Sequence, residues 1–228
     1  MKVKFGGMIV GGRGKFAGLV GSHNRGGDYF RQFVVPTNPQ TVYQSAVRND
    51  FANNSQAWRG LTQAERDQWN TVVSDYQRTN VFGDLRTPSG KALFQRLNGN
   101  LLAAGAATIT APLLPAGVDS FNSVSLAAAE GANTVTLTFA PAIAAGMTAI
   151  VEATPAMSPG VTNANNRFRQ IRTIINGQVS PLAITTAYNA KYGAVGAAGG
   201  KVMVRVKIVN DTTGEVSTTL TATAIIAA

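Results

Sequence analysis

The 228-residue chain has no cysteine and a single histidine, His23. Without cysteine, neither a disulfide framework nor a thiolate metal site can form. Charge is also scarce: Asp, Glu, Lys and Arg make up 14% of the residues, against roughly 25% in ordinary soluble domains. The acids of residues 1–111 (Asp28, Asp50, Glu65, Asp67, Asp75, Asp84) are scattered rather than paired. No run of about 18 apolar residues occurs, so no transmembrane helix is expected. Lys2 and Lys4 supply the charge of a signal-peptide start, but glycines at 6, 7, 11 and 12 interrupt the apolar stretch that must follow. No secretory signal is therefore expected.

What is present is 45% hydrophobic residues, enough to bury a core, with Gly, Ala, Thr and Asn in place of charge. Neutral small residues cost less to desolvate than Lys or Glu, which suits a surface that becomes an interface. The net charge is +9. Residues 1–35 hold Lys2, Lys4, Arg13, Lys15, Arg25 and Arg31 against Asp28, so a net +5 sits in this short arm, and 36–111 and 112–228 carry +2 each.

The arm reads as short strands divided by glycine. Met8–Val10 is one; Lys15–Ser22 and Asp28–Val35 flank the turn 23–27 as a hairpin. A lone hairpin is marginal in water, so it must lie on something else. Pro36-Thr37-Asn38-Pro39-Gln40-Thr41 forms a hinge in which two prolines restrict the backbone and aim the arm. Thr41 can cap a helix with Tyr43, Val47, Phe51 and Trp58 on one apolar stripe, expected to be core. Thr62 and Glu65 form a capping box ahead of Trp69, Val72, Val73 and Tyr76. Gly60 permits the reversal between these helices, and a third helix begins near Pro88-Ser89 with Leu93, Phe94, Leu97 and Leu101 inward.

Beyond the stiff linker Ala111–Pro115 the pattern changes to β-branched and alternating runs at 123–126, 134–139, 148–153, 168–175, 179–184, 201–209 and 217–226. Seven short strands between turn residues predict a small sandwich. In Lys201–Val209, Val202, Val204, Val206 and Ile208 define a buried face and Lys201, Met203, Arg205 and Lys207 a wet one. The expected fold is α+β: an N-terminal β-hairpin arm (1–35), a short helical bundle (36–110) and a C-terminal antiparallel β-sandwich (111–228).

Chemistry-bearing motifs are thin. Gly11-Gly12-Arg13-Gly14-Lys15 fails as a phosphate-binding loop, because Ile9 stands five before Gly14 and Phe16 follows Lys15. It fails as a dinucleotide fingerprint because no βαβ unit with a downstream acid surrounds it. His23 reads as a solvated turn residue and Asp67 as a helix N-terminal charge. No catalytic residue, metal site, cofactor or small-molecule substrate is expected.

The segments Gly14–Ser22, Asn24-Arg25-Gly26-Gly27 with Arg31, Asn38-Pro39-Gln40-Thr41 with Gln44 and Arg48, Trp58-Arg59-Gly60-Leu61-Thr62, and Arg66 with Trp69 resemble a recurrent, mostly uncharacterised segment of tailed-phage and prophage virion proteins. The C-terminal part is similar to the immunoglobulin-like or fibronectin-III-like domains such viruses carry, without a cysteine pair or a strand tryptophan. The resemblance implies a non-enzymatic virion subunit, capsid-associated or a tail or neck component, made in the host cytoplasm. Its implied partners are other virion subunits, including copies of itself, and no membrane. Arg25, Tyr29, Phe30, Arg31, Asn38, Pro39, Arg48, Trp58 and Trp69 are the expected assembly residues. Two alternatives stay open: nonspecific binding of packaged nucleic acid through Arg13, Lys15, Arg25 and Arg31, and adhesion or carbohydrate binding through the Tyr188–Tyr192 loop.

Overall fold

The computed structural model describes residues 1–4, 11–38 and 40–228. The expected strand Met8–Val10 and the hinge residue Pro39 lie outside them. Strands β1 (Lys2–Val3), β2 (Gly14–Phe16), β3 (Leu19–Asn24) and β4 (Gly27–Gln32) form an antiparallel sheet ordered β1-β4-β3-β2. β3 and β4 are the expected hairpin, with Ser22 opposite Tyr29. Its turn is held by Asn24 Oδ1, which accepts from the Gly26 N–H at 2.8 Å, and by Gly27 at φ 102°. The expected strand over 15–22 is two strands instead: the chain reverses at Ala17-Gly18 and places Lys15 opposite Val20. The arm is thus a four-stranded sheet, which supplies the neighbours a bare hairpin lacks. Gly21 is required within it, since a Cβ there would lie 2.9 Å from the Gly12 carbonyl oxygen and 3.0 Å from the Phe30 ring.

Three helices follow: α1 (Val42–Gly60), α2 (Gln63–Val72) and α3 (Gly90–Ala104). Each start is specified locally. Thr41 with Gln44 and Thr62 with Glu65 form capping boxes, and Ser89 Oγ accepts from the Ala92 N–H. The bonds from Thr62 to Glu65 hold that carboxyl below its usual range. Gly60 plays no special part in the reversal between α1 and α2; it is still helical, and extended Leu61 and Thr62 turn the chain. After α2 a 3-10 turn (Val73–Tyr76) leads to a two-stranded ribbon, β5 (Arg78–Thr79) and β6 (Leu85–Arg86). Leu61, Trp69, Tyr76, Leu93, Phe94 and Leu97 make the helical core. Trp69 meets Phe94 edge-on at 5.3 Å.

The chain leading into and through the expected stiff linker is strapped to the helices. Trp69 Nε1 donates to the Thr110 carbonyl at 2.7 Å, and the Tyr76 hydroxyl to that of Leu113 at 2.8 Å. Buried Asn98 clamps both the N–H and the carbonyl of Ile109. Of these bonds, the one from Tyr76 to Leu113 crosses the expected boundary at 110/111.

All seven expected strands form: β7 (Ser123–Ala129), β8 (Thr134–Ala140), β9 (Met147–Ala153), β10 (Arg169–Ile175), β11 (Leu182–Ala183), β12 (Lys201–Asn210) and β13 (Leu220–Ile225). They divide into the sheets β11-β8-β7 and β10-β9-β12-β13. The two sheets share one core, with Val135, Leu137 and Phe139 from the first against Val151, Val202, Val204 and Val206 from the second. A fourth helix, α4 (Thr185–Tyr192), stands where a tyrosine loop was expected.

The second face of β12 is not wet along its length. Met203 packs with Met157, Ala164 and Phe168. Arg205 pairs with Glu152 directly across from it and lies over the Phe168 ring. Val209 meets Ile150 and Ala104, the last residue of α3. The C-terminal half of α3 therefore covers the outer face of the four-stranded sheet. Asn100 Nδ2 donates to the Gly214 carbonyl and Gln170 Nε2 to that of Ala103, both at 2.8 Å. Gly214, at φ 72°, allows the close approach; a Cβ there would lie 2.4 Å from the Leu97 carbonyl oxygen.

Burial, the leading cause, pushes the hydroxyls of Tyr76 and Tyr192 up to about 12. The unfolded chain releases these protons from about pH 10, the folded chain only near pH 12. Between those values the unfolded state binds fewer protons, so stability falls as pH rises; below pH 10 this contribution is fully present and flat. Urea unfolding is expected to show a midpoint declining from pH 10 to 12, and a shallower decline in Tyr76→Phe/Tyr192→Phe. An equal decline in the double variant would contradict the assignment.

Candidate assembly surface

The hinge meets α1 through one directed contact: Arg48 donates from its guanidinium to Asn38 Oδ1 at 2.7 Å. Gln40 takes a positive φ of 47°, and Thr41 then caps the helix. Two of the expected assembly residues, Asn38 and Arg48, thus act on each other and set where the chain leaves α1.

The C-terminal half of α1 is packed. Trp58 lies against Phe94 at 5.5 Å, and Gln95 donates to Ser55 Oγ at 2.6 Å. The N-terminal half is not. Tyr43, Val47 and Phe51 do form a stripe, but it is not core: they are 44%, 50% and 61% exposed. Regular spacing specifies a face without specifying what covers it. Tyr43, Val47 and Phe51 instead line a groove of about 870 Å³ between α1, α3 and β10, whose other walls include Leu102, Ile171 and Lys207. Lys191 of α4 sits 4.6 Å over the Tyr43 ring and tethers this end of α1.

In the arm sheet, residues directly opposite one another share a face. The pairs Lys2 with Tyr29, Ser22 with Tyr29, Val20 with Arg31 and Lys15 with Val20 place Lys2, Lys15, Tyr29 and Arg31 on one face. Lys15 lies 4.4 Å over the Phe33 ring. Tyr29 and Phe30 are half-buried within the sheet, whereas Phe16 is 75% exposed and Val35 75% exposed, with Phe33 and Val34 also open. Exposed apolar area therefore lies at Phe16 and at the arm's exit. Arg13 and Lys15 are exposed, and Arg25 sits apart from them at the hairpin tip. The arm meets the turn of the β5–β6 ribbon through Lys4, which bonds Asp84 at 3.0 Å and lies 5.5 Å from the Phe82 ring centre.

Trp69 is fully buried, so its place is the helical core and not a contact surface. Trp58 is half-buried beside it. His23 faces Asp28 across the hairpin with Nδ1 2.8 Å from a carboxylate oxygen. Among the described residues no cluster of three or more His, Asp or Glu could hold a metal ion, and no helix is long and apolar enough to cross a membrane. Tyr188 is 1% exposed, and the Tyr192 hydroxyl donates to the Ala153 carbonyl. Neither ring offers a sugar-stacking platform.

No protein-family model and no curated protein matches the chain. Among solved structures, a Fn3-like protein from Clostridium thermocellum is similar at 19% identity, over 49% of this chain and 97% of that one, with a TM-score of 0.32.

With no core beneath its first turns, α1 depends there on its cap. Thr41→Ala is expected to lower stability by about 1 kcal/mol, whereas Val47→Ala should change it by less than about 0.5 kcal/mol, as for an exposed site. Urea unfolding measures both. A loss of about 2 kcal/mol or more for Val47→Ala would show that the stripe is packed.

Proposed function

We propose that this chain is a non-enzymatic structural subunit of a phage-like particle, made in the host cytoplasm and incorporated into the virion. Its partners in this reading are other virion subunits, copies of itself among them. The observation that carries it is exposed apolar side chain at three places: Phe16 on the arm sheet, Phe33, Val34 and Val35 at the arm's exit, and Val42, Tyr43, Val47 and Phe51 on the first turns of α1. Exposed apolar side chains that cluster on one element, as on the first turns of α1, mark interaction sites. The resemblance of the arm, hinge and helical-corner motifs to tailed-phage proteins supports the virion assignment.

The arm engages a neighbour by adding its edge strand β2 to another subunit's sheet. Backbone hydrogen bonds supply affinity, and Phe16 and Phe33 enter pockets. Tyr29 and Phe30 hold the arm's own sheet, and the Asn38–Arg48 contact aims it. The two-sheet unit projects from the particle or packs over it. Its fourth strand, β10, lies beside the third, β9, rather than beside β11. That order departs from the constant-type immunoglobulin arrangement and favours a fibronectin-III-like domain.

A second reading, nonspecific contact with packaged nucleic acid, draws on the face that joins Lys2, Lys15 and Arg31 to Tyr29. Its mark is an affinity that falls steeply with salt.

Sedimentation velocity and electron microscopy test the assembly reading. The full chain is expected to form rings, tubes or shells, or to join particles. The Phe16→Ser/Phe33→Ser/Val35→Ser variant should stay monomeric with an unchanged melting temperature, because none of these side chains supports a core. Unimpaired assembly of that variant would contradict the proposal.

A further inference from the structure

Arginines from three separate elements line one cavity of about 330 Å³: Arg25 at the tip of the arm hairpin, Arg78 and Arg86 on the β5–β6 ribbon, and Arg96 on α3. No acidic residue lines it. The ribbon fixes two of the four. Arg78 and Arg86 are directly opposite each other, in the register where like charges destabilise a strand pair. That register is locked by the turn, in which Asn80 Oδ1 accepts from the Phe82 and Asp84 N–H groups at 2.8 and 3.0 Å.

Arg96 is held in place for the same cavity. Its guanidinium lies 5.6 Å from the ring centre of Tyr76, whose hydroxyl is tied to Leu113. Its Nε is buried without a hydrogen-bond partner. Burial, and then the charge of Arg78, lower its proton affinity.

The nearby acids stand outside the cavity. Asp84 accepts from Lys4 and Asn80, each at 3.0 Å, and pairs with Arg86 at 3.5 Å. Glu215 and Asp75 line a neighbouring cavity that Arg78 and Arg96 also border, and the Glu215 carboxylate accepts from the Ala116 N–H. The cavity also contains Ser89, the cap of α3. The Ser89 oxygen accepts from Ala92, which leaves its hydroxyl proton free to donate outward. Unlike α2, which has Glu65, α3 has no acid in its first turn to meet the positive end of the helix.

We propose that this pocket binds a phosphate group, held between Arg25, Arg78, Arg86 and Arg96 at the start of α3. A single carboxylate offers two oxygens to one planar fork, whereas a phosphate presents its oxygens to several forks at once and carries the charge to match them. The inference stands apart from the assembly reading, because none of the exposed apolar residues lines the pocket. The group can come from free phosphate or from a nucleic-acid backbone.

Differential scanning fluorimetry and titration calorimetry on the full chain decide it, with inorganic phosphate, pyrophosphate and a short single-stranded oligonucleotide, and chloride at matched ionic strength as control. Saturating phosphate is expected to raise the melting temperature by about 4 °C. Arg78→Gln should weaken binding at least about tenfold, as for a lost charged hydrogen bond. In phosphate-free buffer Arg78→Gln should melt no lower than the parent, because it relieves the opposed charges; Arg86→Gln repeats the test. Saturation by inorganic phosphate or pyrophosphate with this dependence assigns a free-anion source. Saturation by the oligonucleotide alone, with the same dependence, assigns a backbone source. No saturable response to any of the three, or one unaltered in both variants, overturns the proposal.

Discussion

Helix α3 packs on two sides at once, and the described body depends on that double contact. One side presents Leu93, Phe94 and Leu97 to Trp69 and Tyr76. The other places Ala104 against Ile150 and Val209 of the four-stranded sheet. Leu101, also fully buried, approaches Gly214 in the turn before β13. Each fully buried leucine or phenylalanine contributes roughly 1.5–3 kcal/mol, so the helical and two-sheet parts each lose a substantial share of their stability without this helix. Asn98 adds an orientation the apolar contacts do not have, because its two bonds to Ile109 fix the strand-like strap that runs from α3 toward β7.

What lies outside that double contact is as informative as what lies within it. The arm sheet buries only Gly21 among its strand residues, and the first half of α1 has no core beneath it. Both are built from well-specified local structure: turns with Asn and Gly at the right places, and a capping box at Thr41. They are ordered without being covered. An element that is locally consistent yet leaves its apolar side chains open is the arrangement expected where a second surface completes the packing.

The caps, the three helices and the seven strands were legible because each is specified by neighbours in sequence: Thr62 by Glu65, β12 by its alternating valines. What covers a face was not. Tyr43, Val47 and Phe51 have the period of a core stripe, yet the body they would pack on stops at Ser55 and Trp58. The outer face of β12 reads as wet until the chain brings Phe168 onto Met203 and Ala104 of α3 onto Val209, long-range packing that local patterns do not encode. Helix α4 was missed because its cap residue is Ile184, which makes no side-chain cap bond. The arginine pocket was invisible for a similar reason: Arg25, Arg78, Arg86 and Arg96 are unremarkable singly, and only the two-residue register of β5 and β6 opposes two of them. Among the candidate assembly residues, Asn38 and Arg48 pair with each other, a contact the sequence did not show, while Trp69 belongs to the core.

Amide hydrogen exchange of the monomeric chain, followed by mass spectrometry, tests most directly whether α3 joins the helical and two-sheet parts while the arm adds little to that core. α3, β9 and β12 should exchange together, through one opening whose free energy equals that of global unfolding, and the arm strands β1–β4 should exchange far faster. Independent exchange of α3 and β9, or arm strands protected as strongly as the core, would contradict the account.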